Sequence, residues 1–114
     1  MQIYALVLLT LAGLSSFAIA EPAAPSNART AGQLFRRYCV SCHGNDGKAK
    51  TSKGRFSHAR DLTDPQWHAD VSDERIFNSI MNGRDTGGNM PAFGNKMKEK
   101  EIDSLVTFVR GLKG

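Results

Sequence analysis

The chain has 114 residues, a formal net charge of +4, two cysteines and three histidines. That length makes one small domain with a modest core, not a multidomain assembly. A balance this close to neutral gives no support for a nucleic-acid-binding surface, and two cysteines cannot form a disulfide framework.

Ile3 to Ala20 is almost continuously apolar and uncharged, and it ends in Ala18-Ile19-Ala20, the small-x-small pattern of a signal-peptidase site. No basic residue precedes the apolar run. An uncleaved anchor is the competing reading, because a membrane span needs roughly 17–25 residues. The cleavage pattern favours a signal peptide over residues 1–20, export to the periplasm and no stable membrane span after cleavage. Residues 21–29, with Pro22 and Pro25 among small residues, read as a flexible linker, and residues 30–114 as the folded domain.

Thr30 and Gln33 have the spacing of a capping box. Leu34, Phe35, Tyr38, Cys39 and Cys42 follow at helical intervals, so one helix delivers both thiols to one side, and Gly44 and Gly47 end it. Cys39-Val40-Ser41-Cys42-His43 reads as a c-type haem attachment site. Two thiols add to the two vinyl groups of one porphyrin, and His43 then lies under the iron as an axial ligand. A structural zinc site would need four ligands, and His58 and His68 make a poor second pair. A redox dithiol would need a strand–helix context that the chain does not offer, and a disulfide across two residues is a strained small loop.

Asn45 to Arg60 is polar and reads as a loop, and Asp64-Pro65 marks a turn. Ser72 is a good N-cap for a helix whose apolar face is Ile76, Phe77, Ile80 and Met81, stopped by Gly83. Arg84 to Asn95 is a glycine-rich loop containing Met90-Pro91. A last helix starts near Glu99, with the stripe Ile102, Leu105, Val106, Val109 and Leu112.

A covalent haem with one histidine needs a sixth ligand or keeps an open site. Met81 lies on an apolar helix face and Met97 before the last helix, where each is expected to pack. Met90 sits in a loop stiffened by Pro91 and is the favoured thioether ligand. His58 or His68 would give a bis-histidine centre instead, but both lie in polar segments where an exposed histidine is the ordinary case.

Phe35 four residues before Cys39, then Cys39-Val40-Ser41-Cys42-His43-Gly44, Asp61-Leu62-Thr63, Asn89-Met90-Pro91-Ala92-Phe93 and a closing apolar helix together resemble class I cytochrome c. The likeness is greatest to small bacterial mono-haem forms and to cytochrome c domains of oxidase subunits, and it runs from about Thr30 to Leu112. It implies an all-α fold of three to five helices wrapped on one haem c, with His43 and Met90 as axial ligands. It also implies that the first and last helices cross, Phe35 meeting Leu105 and Phe108 beside the small Ala31 or Gly32.

Two departures from the family pattern stand out. Ser57-His58-Ala59-Arg60 lacks the proline whose carbonyl often accepts a hydrogen bond from the ligand histidine, although any backbone carbonyl can serve. Lys98 stands where a helix N-cap is common, so the last helix is expected to be shifted or weakly capped.

With both axial positions filled, the expected function is one-electron transfer between redox proteins by a monomer or loosely associated subunit. Arg60, Leu62, Trp67 and Arg84 are candidates for haem-propionate or pocket contacts. Lys48, Lys50, Lys53, Arg55, Lys96, Lys98 and Lys100 are candidates for a basic rim that docks acidic partner surfaces. The alternatives are a haem enzyme or gas-binding protein with a displaceable sixth ligand, or a fixed cytochrome subunit of a dehydrogenase or oxidase complex.

Overall fold

Ser/Thr caps, a proline and glycines divide the chain into short helices, which wrap around a shared apolar interior. In a computed structural model, which describes residues 18–20 and 28–114, the helices are α1 (Ala31–Tyr38), α2 (Val40–His43), α3 (Ser52–Phe56), α4 (Pro65–Asp70), α5 (Asp73–Asn82) and α6 (Glu99–Arg110). The described residues contain no strand, only one isolated antiparallel bridge between Arg84 and Met90. The fold is all-α, as expected. Apart from Ala18, Ile19 and Ala20, the expected signal peptide lies outside the described residues, as do residues 21–27 of the linker. Among the described residues no helix is long and apolar enough to cross a membrane.

The capping box that starts α1 is formed in both directions: Thr30 Oγ1 accepts from the Gln33 N–H at 3.2 Å and Gln33 Oε1 from the Thr30 N–H at 2.8 Å. The helix buries Leu34 and Phe35. The expected single helix carrying both thiols is interrupted at Cys39 (φ −113°, ψ −33°), and α2 completes it until Gly44 ends the run at φ 77°.

Two segments differ from the sequence reading. The stretch expected as a loop from Asn45 to Arg60 contains α3, which has no apolar stripe to announce it. A cap holds it instead: Thr51 Oγ1 accepts from the Gly54 N–H at 2.9 Å. Asp64-Pro65 begins a helix rather than only turning the chain, with Asp64 as N-cap accepting from the Gln66 N–H at 2.9 Å and Pro65 in the first helical turn.

Ser72 caps α5, accepting from the Arg75 N–H at 3.1 Å, and Gly83 ends it at φ 73°. α6 starts at Glu99 without displacement. Lys98 contributes no side-chain cap, but Glu101 reaches back to accept from the Lys98 N–H at 2.9 Å. Arg29 grips the same carboxylate through Nε at 2.9 Å and Nη2 at 2.8 Å, and this pairing holds Glu101 below the usual carboxylate range.

The first and last helices meet as expected, and α6 also packs on α5. The Phe35 and Phe108 ring centroids are 4.9 Å apart. A Cβ added to Gly32 would lie 3.9 Å from the Phe108 ring, so the crossing accepts a small residue there without requiring glycine. Ile102, Leu105, Val106 and Val109 are buried with Leu34, Leu62, Ile76, Ile80, Phe93 and Met97, and Leu112 packs at the edge. Met81 is half-buried against this core, its sulfur filling the space where Gly94 has no side chain.

Candidate cofactor site

A cavity of about 750 Å³ opens between the α1–α2 corner, the 57–62 segment, α4, α5, the 84–91 loop and α6. This is the size of pocket that takes a cofactor, roughly 300–1,000 Å³. Phe35, Leu62, Ile76, Ile80, Leu105 and Val109 give it apolar walls.

One wall carries Cys39, Cys42 and His43. Both cysteines are half-buried and not joined to each other. Burial pushes the Cys39 thiol up to about 11, and the neighbouring Cys42 adds to the effect. The His43 imidazole is pushed below its ordinary value by burial, against a smaller opposing pull from its backbone hydrogen bond. That bond joins Nδ1 to the Arg60 carbonyl oxygen at 2.9 Å. A carbonyl only accepts, so Nδ1 carries the proton and Nε2 is left as the nitrogen able to bind a metal. The missing proline is thus replaced by the backbone of Arg60.

The carbonyls of the motif are fastened from behind. Thr51 Oγ1 lies 2.8 Å from the Ser41 oxygen and 3.0 Å from the Cys42 oxygen. Gly54 lies so close to the Cys42 carbonyl that any Cβ would collide with it. The sequence reading did not single out Thr51 or Gly54; the Thr-x-x-Gly spacing of a capped turn was the available signal.

Another wall carries Met90. Of the three methionines considered as ligands, it alone lines the cavity, Met97 being core and Met81 packed beneath Gly94. Its loop is pinned at several points. The Arg84 N–H donates to the Met90 oxygen at 2.8 Å and the Met90 N–H to the Arg84 oxygen at 2.9 Å. The Asn89 N–H donates to the Ser57 oxygen at 3.0 Å, and the Phe93 N–H to the Ile80 oxygen at 2.9 Å. Gly83 permits the approach, because a Cβ there would sit 2.6 Å from the Met90 oxygen.

His58 also lines the cavity, exposed and at φ 51°. His68 corrects the expectation of an exposed histidine. It is buried, with Nε2 2.7 Å from the Leu62 oxygen and Nδ1 3.4 Å from Arg110 Nη1. Both ring nitrogens face protein groups, and the ring does not line the cavity.

Arg60, Leu62, Trp67 and Arg84 all line the cavity, and so does Arg75, which the sequence reading did not single out. Arg60 lies 3.9 Å from Asp64, and Arg84 Nη1 donates to Ser79 Oγ at 3.3 Å. Among the cations considered for the rim, Lys53 alone lines the cavity. Lys48, Lys50, Arg55, Lys98 and Lys100 are exposed, and Lys96 lies over the Phe93 ring at 5.7 Å.

Comparison with known proteins accounts for this arrangement. Residues 26–109 match the family described as cytochrome C oxidase, cbb3-type, subunit III. The chain is 33% identical over 95 residues to the cbb3-type cytochrome c oxidase subunit FixP of Azorhizobium caulinodans, covering 83% of this chain and 30% of that protein. It is 30% identical over 110 residues to cytochrome c6 of Nostoc sp., covering 96% and 92% of the two chains. The solved structure of the KustC0563 c-type cytochrome superposes with a TM-score of 0.69 at 36% identity, covering 75% of this chain and 100% of that one. The chain therefore spans about a third of the oxidase subunit and nearly all of the cytochrome c6. A cavity sized for a cofactor, with two thiols and an oriented imidazole on its wall, belongs to a chain of the c-type cytochrome family, whose cofactor is covalently bound haem c.

Proposed function

We propose that the protein is an exported one-electron carrier of the periplasm. In this reading residues 1–20 are removed on export, residues 21–29 form a linker, and residues 30–114 hold the haem. Cys39 and Cys42 would hold the haem through thioether links, and His43 and Met90 would bind its iron, which would supply one-electron chemistry there. The observation that carries the reading is the pairing of the Cys39–His43 wall with a pinned Met90 in one apolar cavity.

When bound, the haem supplies a one-electron centre whose iron alternates between ferrous and ferric states. The chain's own groups keep that exchange free of other chemistry. The Arg60 carbonyl fixes the His43 ring in the tautomer that presents Nε2. The bridge to Arg84 holds Met90 without a long flexible tether. Leu62, Ile76, Ile80 and Val109 give the site apolar walls, which would keep water from a bound haem and reorganisation small.

The test is the oxidised absorption spectrum. Purified holoprotein should show the sulfur-to-iron band at the red end, and Met90→Ala should abolish it and lower the midpoint potential. A Met90→Ala protein with native spectrum and potential overturns the ligand assignment. The likeness to oxidase subunits favours a second reading, a cytochrome held permanently in a membrane complex. Gel filtration of native extract separates the two: a carrier elutes as a monomer or loose associate, a subunit with the complex.

A further inference from the structure

Phe56 is 85% exposed, and among the described residues only Phe56 and Ile19 are large apolar side chains left in that state. Ile19 belongs to the expected leader. Phe56 belongs to the folded domain, and its surroundings are not those of an isolated surface residue.

It is the last residue of α3, a helix built into both sides of the cavity. On the inner side, Gly54 abuts the Cys42 carbonyl and Thr51 Oγ1 holds the Ser41 and Cys42 oxygens. At the C-terminal end, the Ser57 oxygen accepts from the Asn89 N–H, one residue before Met90. Lys53 and Ser57 line the cavity itself. Phe56 stands one turn beyond Lys53 and immediately before Ser57, both of which line the cavity.

The stretch of chain that carries Phe56 is basic, bounded by Asp46 and Asp61. From Gly47 to Arg60 the chain contains Lys48, Lys50, Lys53, Arg55 and Arg60 and no carboxylate. An exposed aromatic side chain in a basic segment, next in sequence to the cavity-lining Ser57, has the makings of a small docking patch, with an apolar centre and a charged rim.

We propose that Phe56 is the apolar anchor of the electron-transfer interface. It inserts into a hydrophobic depression on a redox protein whose rim carries carboxylates facing Lys50, Lys53 and Arg55. The proposal rests on the carrier reading above. Each encounter moves one electron between the reduced protein and an oxidised centre of the partner, and no bond is made or broken.

The experiment uses reduced holoprotein, wild type and Phe56→Ser, mixed by stopped flow with detergent-solubilised respiratory membranes of the source organism. Ferricyanide serves as a small oxidant that needs no docking patch. Phe56→Ser should lower the second-order rate with the solubilised membranes by roughly 5- to 30-fold. Its ferricyanide rate, spectrum and midpoint potential should match wild type, and Phe56→Trp should restore the rate. Lys53→Gln with Arg55→Gln should slow the reaction and flatten its dependence on ionic strength. Equal rates for wild type and Phe56→Ser overturn the anchor while leaving the carrier reading intact. A wild-type protein that exchanges no electrons with the membranes overturns both. If Phe56→Ser loses only co-sedimentation with anionic phospholipid vesicles and keeps the solubilised rate, Phe56 contacts lipid and the protein-docking proposal falls.

Discussion

His43 Nδ1 lies 2.9 Å from the carbonyl oxygen of Arg60. The acceptor is backbone, so the orientation of the imidazole does not depend on which side chain residue 60 carries. Arg60→Ala should therefore retain the wild-type axial spectrum and the His43 ring N–H resonance. Any change in midpoint potential then reports the lost guanidinium charge at the cavity. Loss of the ring resonance would show that the side chain, not the carbonyl, orients His43.

Asp61 Oδ1 accepts from Thr63 Oγ1 at 2.7 Å and from the Thr63 N–H at 2.8 Å. These bonds, first from the hydroxyl and then from the backbone, hold its carboxyl below the ordinary value of 3.8, with Lys48 and Lys50 adding to the effect. A lowered carboxyl contributes stability in full above its unfolded value and loses it as pH falls toward the folded value. Asp61→Asn should therefore flatten the decline of the urea midpoint below about pH 4. An unchanged acid limb would show that the Asp61 turn contributes nothing to acid sensitivity.

Gly54→Ala tests a close approach against helix propensity. Propensity alone makes alanine better than glycine by about 0.8–1.0 kcal/mol inside a helix. The Cys42 carbonyl occupies the space that a Cβ would need, and overpacking of this kind costs about 1–3 kcal/mol. The variant should show a lower thermal midpoint and, with Cys42 as a proposed thioether link, a smaller yield of haem-loaded protein. A raised midpoint would refute the contact.

Arg110 joins α6 to the α4–α5 connection. It donates to the His68 oxygen at 2.8 Å and to the Val71 oxygen through Nη2, and its Nε pairs with Asp73. Arg110→Met keeps much of the aliphatic packing but strips these carbonyls of their donor. The expected loss is about 1–3 kcal/mol in chemical denaturation. Because Trp67 and Leu62 adjoin this junction, the holoprotein should also show an altered tryptophan band in near-ultraviolet circular dichroism, whereas a purely surface role for Arg110 would leave that band unchanged.

The helices whose apolar residues recur every three or four positions were legible in the sequence. The Thr30–Gln33 box, the Ser72 cap, the Gly83 stop and the α6 stripe each have a local cause that can be read without tertiary structure. α3 and α4 were not, because nothing in Ser52-Lys53-Gly54-Arg55-Phe56 is periodic and Asp64-Pro65 serves a turn or a helix start equally well. Tertiary contact decides both. The cysteines, His43 and Met90 stood out by chemistry. Thr51 and Gly54 did not, since they act through the carbonyls of the motif rather than through a reactive group. His68 misled because a histidine among polar neighbours in sequence can still be enclosed in space, here by Leu62 and Arg110.

The seating of Gly54 on Cys42 has a mechanical consequence. α3 stands as a short post: Gly54 abuts the Cys42 carbonyl, and Phe56 projects into solvent. Phe56 lies two residues after Gly54, about half a turn of helix, so a load at Phe56 is carried to the Cys42 carbonyl over a short helical path. A partner that presses on the surface at this point would meet a platform registered to Cys42, so the alignment of two redox centres would follow from the seating of a single side chain.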